Sequence, residues 1–266
     1  SILAELGTLQ VEFRYLSYAS GDPKYAAAAE KVIEVLAQRA PADGLYGIYI
    51  NPSTGQATSR AVTFGALGDS FYEYLLKVWL QGGRKEPMYR KMYDKAMEGM
   101  TNKMLAHSSP SSLLYVADWN GASQVAKMDH LACFTAGMLG LGAYYSKGTG
   151  GEAVAQRDLQ NAKALAYTCW QMYERTATGI SPEYVEFPPG RDAVPAARAA
   201  FYILRPEAAE SLFILHQLTG NPIYREWGWK IFEAFRRWCQ VDGGRGGYAG
   251  IEDIDDTEPV QIDRME

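Results

Sequence analysis

A chain of 266 residues, 47% hydrophobic and 21% charged, has the composition of a folded globular protein, which excludes disordered, collagen-like and fibrous classes. A formal charge of -5 with no run of Lys or Arg gives no footprint for nucleic acid or an anionic membrane surface. No stretch approaches the ~20 apolar residues of a membrane span, and Ser1-Ile2-Leu3-Ala4-Glu5 has neither the basic start nor the cleavage site of a leader. The missing initiator Met and the ending Arg264-Met265-Glu266 lead us to expect a piece of a longer polypeptide, with 1–266 forming one domain segment.

Apolar residues recur at helical spacing, and helices are predicted at 4–18, 23–38, 64–81, 86–106, 129–146, 152–176, 205–218 and 222–239. Two turns share one design. In Ser20-Gly21-Asp22-Pro23 and Thr219-Gly220-Asn221-Pro222 the glycine suits a left-handed helix end. The Asx residue suits an N-cap and the proline the first helical position. Turns at Gly82-Gly83 and Ser146-Lys147-Gly148-Thr149-Gly150-Gly151 close two further pairs, which makes an all-α chain of four αα-hairpins. The connections between pairs are long, at 39–63, 107–128 and 177–204, and the first reads as a β-hairpin: Leu45–Ile50, a turn at Asn51-Pro52-Ser53-Thr54-Gly55, then Gln56–Val62. Short connections within pairs and long ones between them predict an open α/α toroid with its long loops at one end.

Each hairpin carries an acid near the start of its first helix: Glu5, Asp69, Asp129, and Glu207 with Glu210. Such acids complement the helix dipole, yet alternate inner helices would gather them around one mouth. Asp69 is followed by Ser70-Phe71-Tyr72-Glu73-Tyr74, where aromatic rings beside a carboxylate suit a sugar. Paired carboxylates across a cavity are the machinery of glycoside hydrolysis. His130, one of three histidines, is expected to contact substrate rather than to do acid–base work.

Zinc spacings, a nucleophile elbow, a Walker loop and a dinucleotide fingerprint are all missing, and Asn51-Pro52-Ser53 is no glycosylation acceptor because of its proline. The Glu252-Asp253-Ile254-Asp255-Asp256 run lacks the glycine and final Glu of an EF-hand and reads as a solvated acidic loop. Of the cysteines, Cys133 and Cys169 fall on consecutive antiparallel helices at heights that differ by about 4–5 Å at ~1.5 Å rise per residue. That leaves a bridge and two free thiols equally open, while Cys239 is left over beside Trp238.

Several blocks in order resemble glycoside hydrolase family 47, the class I α-1,2-mannosidases. They are Leu3-Ala4-Glu5, Val11-Glu12-Phe13-Arg14-Tyr15-Leu16-Ser17, Asp69-Ser70-Phe71-Tyr72-Glu73-Tyr74-Leu75-Leu76-Lys77, Lys127-Met128-Asp129-His130-Leu131, Ser181-Pro182-Glu183 and Leu204-Arg205-Pro206-Glu207-Ala208-Ala209-Glu210-Ser211. The resemblance implies an (α/α)7 barrel and an inverting, exo-acting, calcium-dependent enzyme that trims terminal mannose from high-mannose N-glycans of glycoproteins. Glu207 resembles the general base and Asp69 the carboxylate that acts through water. Glu5, His130, Glu183, Arg205 and Glu210 resemble sugar-site residues.

Leu67 stands where endoplasmic-reticulum members carry a branch-restricting arginine, so the resemblance is to the Golgi type. The Cys133–Cys169 pair matches the family's disulfide, which implies the lumen of the secretory pathway, with a membrane met only through an N-terminal anchor outside the chain. The family's general acid and its calcium-holding threonine are expected to lie before the first hairpin and beyond Glu266, so no metal ligand is expected within the chain and the segment alone is expected to be inactive. Two other readings are a mannose-binding quality-control lectin of the degradation-enhancing branch and an inactive structural remnant.

Overall fold

The computed structural model describes residues 1–146 and 151–264. They fold as two compact units, Ser1–Leu105 with Ala117–Val125, and Ala106–Val116 with Ala126–Glu266. The first unit holds α1 (Leu3–Gly7), α2 (Gln10–Ser20), α3 (Lys24–Gln38), α4 (Asp69–Gln81) and α5 (Pro87–Lys103). The second holds α6 (Phe134–Tyr144), α7 (Glu152–Glu174), α8 (Glu207–Thr219) and α9 (Pro222–Trp238). The pairs α2/α3, α4/α5, α6/α7 and α8/α9 pack as the expected hairpins. The turn expected over 146–151 lies mostly outside the described residues.

The two matching turns have the chemistry that their sequences announce. Gly21 and Gly220 take φ of 72° and 68°, and their N–H groups return to the carbonyls of Ser17 and His216. Asn221 caps α9 by accepting from the Ile223 N–H at 3.1 Å. Asp22 accepts from Lys24 in the same way, at 3.0 Å.

Four expected boundaries are corrected. The helix expected at 4–18 is broken into α1 and α2, because Thr8 Oγ1 takes the Ala4 carbonyl at 2.6 Å and Gln10 reaches Leu6 and Ala29. Gly7 at that break lets α1 close on α4: a Cβ there would stand 2.4 Å from Phe71 Cδ2. The helix expected from 64 starts at Asp69, since Leu67 takes φ +81° and the Thr63 hydroxyl already accepts from Gly65. The helix expected from 205 starts at Glu207, after Leu204 at φ +64°. Both leucines occupy a left-handed conformation that costs a side-chain-bearing residue roughly 1 kcal/mol or more.

The fourth correction lies at 129–146. Lys127–Asp129 is extended and pairs antiparallel with Tyr184–Glu186, which pairs in turn with Val194–Pro195. A 3-10 turn, His130–Cys133, then leads into α6. The β-hairpin expected within 45–62 is present as a loose pair with one bridge, Ile50 with Ala57, its arms joined by Asn51 N–H to Gln56 O, Thr58 N–H to Tyr49 O and Ile48 N–H to Ala61 O, while Ile48 and Ile50 also bond the N-terminal residues Leu3 and Ser1. Further two-residue ladders are 118–119 with 124–125, inside the connection 107–128, and 250–251 with 261–262, after the last helix.

In the first unit Tyr72 stacks on Phe64 at 4.2 Å, and its hydroxyl meets the backbone of Tyr46. In the second unit small residues bring helices together: Gly137 on α6 donates its N–H to Ser211 Oγ on α8, and Ser211 donates to the Cys133 carbonyl at 2.6 Å. Cys133 and Cys169 form a disulfide that closes a span of 36 residues. Closing a loop of that size restricts the unfolded chain by roughly 3–4 kcal/mol. Replacing both cysteines by alanine is expected to lower stability by about that amount, read as a lower urea midpoint that reductant no longer shifts.

Candidate active site

In the second unit the packing of α6 and α7 against α8 brings together residues far apart in sequence. Glu207 opens α8 and meets His130 Nδ1 through Oε2 at 2.9 Å. The other ring nitrogen, Nε2, lies 2.6 Å from the Tyr173 hydroxyl on α7. Tyr173 is 3.4 Å from the Tyr202 hydroxyl, which donates to the Arg205 carbonyl at 2.5 Å. The disulfide ties together the elements that carry His130 and Tyr173, because Cys133 ends the 3-10 turn that begins with His130 and Cys169 lies one turn before Tyr173.

A second cluster flanks the first. Arg205 Nε lies 2.7 and 2.8 Å from the two oxygens of Glu183, and a terminal nitrogen bonds Glu183 as well, the bidentate geometry in which Arg–carboxylate pairs are strongest. Glu183 is also anchored by its backbone, receiving the His130 N–H at 2.9 Å and donating to Ala199 at 2.9 Å.

The electrostatics follow from these contacts. Burial pushes the Glu207 carboxyl up, but the His130 hydrogen bond, the charge of that ring when protonated, a backbone N–H and nearby Arg205 outweigh it and hold the group below the usual glutamate range. Glu207 is therefore an ionised acceptor at neutral pH. Burial pushes the Tyr173 and Tyr202 hydroxyls well above the usual tyrosine range, so both stay protonated.

His130, Glu183, Arg205, Glu207 and Glu210 all belong to the second unit, whereas Glu5, Leu67 and Asp69 belong to the first. Glu5 is exposed on α1, and Asp69 accepts from the Ser70 N–H at 2.7 Å as α4 begins. Asp129 ends the strand and is the residue from which the 3-10 turn starts, paired to Lys127 at 2.6 Å. His130 has no exposed surface, and both ring nitrogens are engaged inside the protein. Its environment is that of a residue which holds Glu207. Tyr173 and Tyr202 were missed by sequence reasoning, for no motif distinguishes them from the other tyrosines.

Among the described residues no group of three or more His, Cys, Asp or Glu could hold a metal ion. In the acidic run at 252–256 the aspartates accept from backbone N–H groups: Asp253 from Asp255, Asp255 from Ala177 and Asp256 from Glu258. These residues do not supply the oxygen cage that calcium requires. No described helix is long and apolar enough to cross a membrane.

Helical hairpins joined by long connections define an α/α fold. The family model described as glycosyl hydrolase family 47 matches residues 1–266, and the chain belongs to that family. It is 46% identical over 256 residues to mannosyl-oligosaccharide 1,2-alpha-mannosidase MNS1 of Arabidopsis thaliana, covering 96% of this chain and 44% of that protein. To the human endoplasmic reticulum mannosyl-oligosaccharide 1,2-alpha-mannosidase it is 40% identical, covering 100% of this chain and 38% of that one. The fold matches the alpha-1,2-mannosidase from Trichoderma reesei with a TM-score of 0.89 at 25% identity, over 100% of this chain and 57% of the other. The chain thus spans less than half the length of these curated relatives.

Proposed function

We propose that the protein carrying this chain is an inverting, exo-acting α-1,2-mannosidase that removes terminal mannose from high-mannose N-glycans in the lumen of the secretory pathway. The observation that carries the mechanism is the buried contact between His130 Nδ1 and Glu207, which keeps a carboxylate ionised and oriented at the start of α8. An ionised carboxylate of this kind takes a proton from water as the water attacks the anomeric carbon, and in an inverting enzyme the attack comes from the face opposite the leaving oxygen. Glu207 is assigned that base and Asp69 the carboxylate that acts through a second water. Glu5, Glu183, Arg205 and Glu210 are assigned to the sugar site, with Glu183 and Arg205 acting as one rigid unit. Leu67 is assigned the branch selection that favours Golgi-type trimming.

Mannose release from a high-mannose glycan by the protein that carries this chain, followed by proton NMR of the anomeric signals, tests the reading. The expected result is that the β-anomer appears first and slowly mutarotates. Glycan binding without release would replace the hydrolase by a lectin. Calcium dependence is proposed on the family resemblance alone, and EDTA in the same assay reads it.

A further inference from the structure

The line of hydrogen bonds behind Glu207 has a fixed direction. A carbonyl only accepts, so the Tyr202 hydroxyl hydrogen is committed to Arg205 O. An ionised carboxylate only accepts, so His130 Nδ1 carries its hydrogen toward Glu207. The remaining choice is at Nε2, 2.6 Å from the Tyr173 oxygen. Tyr173 has one hydrogen and two places to put it: Nε2, or the Tyr202 oxygen at 3.4 Å. The shorter separation is the stronger bond, and burial keeps the phenol protonated.

We propose that Tyr173 is a positioning residue that donates to His130 Nε2, holding the imidazole neutral in its Nδ1–H tautomer so that Glu207 works as a base gripped by a neutral donor. A histidine tautomer is set by the bond its far nitrogen makes, and here that nitrogen faces no solvent. The consequence for Glu207 is chemical. A carboxylate beside an imidazolium is a weaker base than one beside a neutral N–H, and Tyr173 keeps the pair in the second state. Among the described residues the groups against the ring are Glu207 from α8, Tyr173 from α7, and Tyr202 from the segment before α8, whose ring lies 6.0 Å away edge-on, with Arg205 acting on Glu207 and the Cys239 thiol on the two tyrosines. When the ring takes a second proton, Nε2–H turns to the Tyr173 oxygen and the Tyr173 hydrogen swings to Tyr202, so the line accepts that proton with every group bonded.

The catalytic consequence rests on Glu207 being the base, but the tautomer is read without any turnover. The other two histidines, His107 and His216, lie outside this line and outside the core, so a His107→Gln, His216→Gln background leaves one imidazole signal. Two-bond proton–nitrogen correlation of the 15N-histidine-labelled chain at neutral pH is expected to show His130 protonated at Nδ1 and bare at Nε2. In Tyr173→Phe that single pattern is expected to be lost to mixed tautomers or a doubly protonated ring. In Tyr202→Phe it is expected to persist, because Tyr173 still donates.

An Nε2–H or doubly protonated ring in the parent overturns the proposal, and this spectrum decides even where Tyr173→Phe fails to fold. An unchanged pattern in Tyr173→Phe, or an equal loss in Tyr202→Phe, overturns the assignment to Tyr173. In the protein that carries the chain, Tyr173→Phe is expected to lower kcat at unchanged KM. A correct tautomer with no mannose release would leave the tautomer assignment standing and remove the mannosidase reading.

Discussion

Glu207→Gln is expected to lower kcat for mannose release by about 10²–10⁴-fold in the protein that carries this chain, with KM and the unfolding midpoint little changed. The amide keeps the size of the side chain and an oxygen for the His130 N–H at the position Oε2 occupies, so folding is spared, but it cannot take a proton from water. The pH dependence is set by the same contact. The base must be ionised, and its pKa lies below the ordinary glutamate value. Activity is therefore retained as pH falls to the usual carboxylate range and is lost only on passing through the lowered value. His130→Gln weakens the hydrogen bond that lowers the Glu207 pKa, and the acid limb of kcat is expected to move up. A limb that stays in place would mean that His130 contributes nothing to the ionisation of Glu207.

Arg205→Met is expected to cost about 3 kcal/mol of folding stability, the lower end of what breaking a buried ion pair costs. The guanidinium is 8% exposed and the Glu183 side chain 17%, so the substitution strands a carboxylate with little access to water. Urea unfolding reads the loss. The double variant Arg205→Met, Glu183→Met is expected to recover most of it, because replacing both members leaves no buried charge. A double variant as unstable as the single would place the cost in packing rather than in charge. Arg205→Met also removes one of the influences that lower the Glu207 pKa, so the acid limb of activity is expected to rise even though the hydrogen bond to His130 is intact.

The hairpin plan was legible because its signals are local. Gly21-Asp22-Pro23 and Gly220-Asn221-Pro222 each specify a helix end and a helix start within three residues, and the structure uses them in that way. The true starts of α4 and α8 were not legible. They are displaced by Leu67 and Leu204 at positive φ, a conformation to which leucine has no intrinsic inclination and which only surrounding contacts can impose. The Ala4 N–H to Leu67 carbonyl bond is one such contact, and the Tyr202 hydroxyl to Arg205 carbonyl bond another. The strand at Lys127–Asp129 escaped notice for a related reason. Three residues carry no measurable period, and the partner that makes them a strand lies at 184–186.

The candidate site divides along the same line. Sequence by itself determined which residue types stand at the helix starts, and the blocks around Asp69, His130 and Glu207 sufficed to point to the family. Tertiary structure alone decided what His130 touches. Its two partners lie 77 and 43 residues away along the chain, so no spacing rule reaches them. Among 18 tyrosines, Tyr173 and Tyr202 are singled out only by being buried where a ring nitrogen and a carbonyl need a hydroxyl. Local chemistry can be read from neighbours in sequence, whereas a charge state or a tautomer depends on neighbours in space, which here are supplied by the packing of α7 and α8 around one ring.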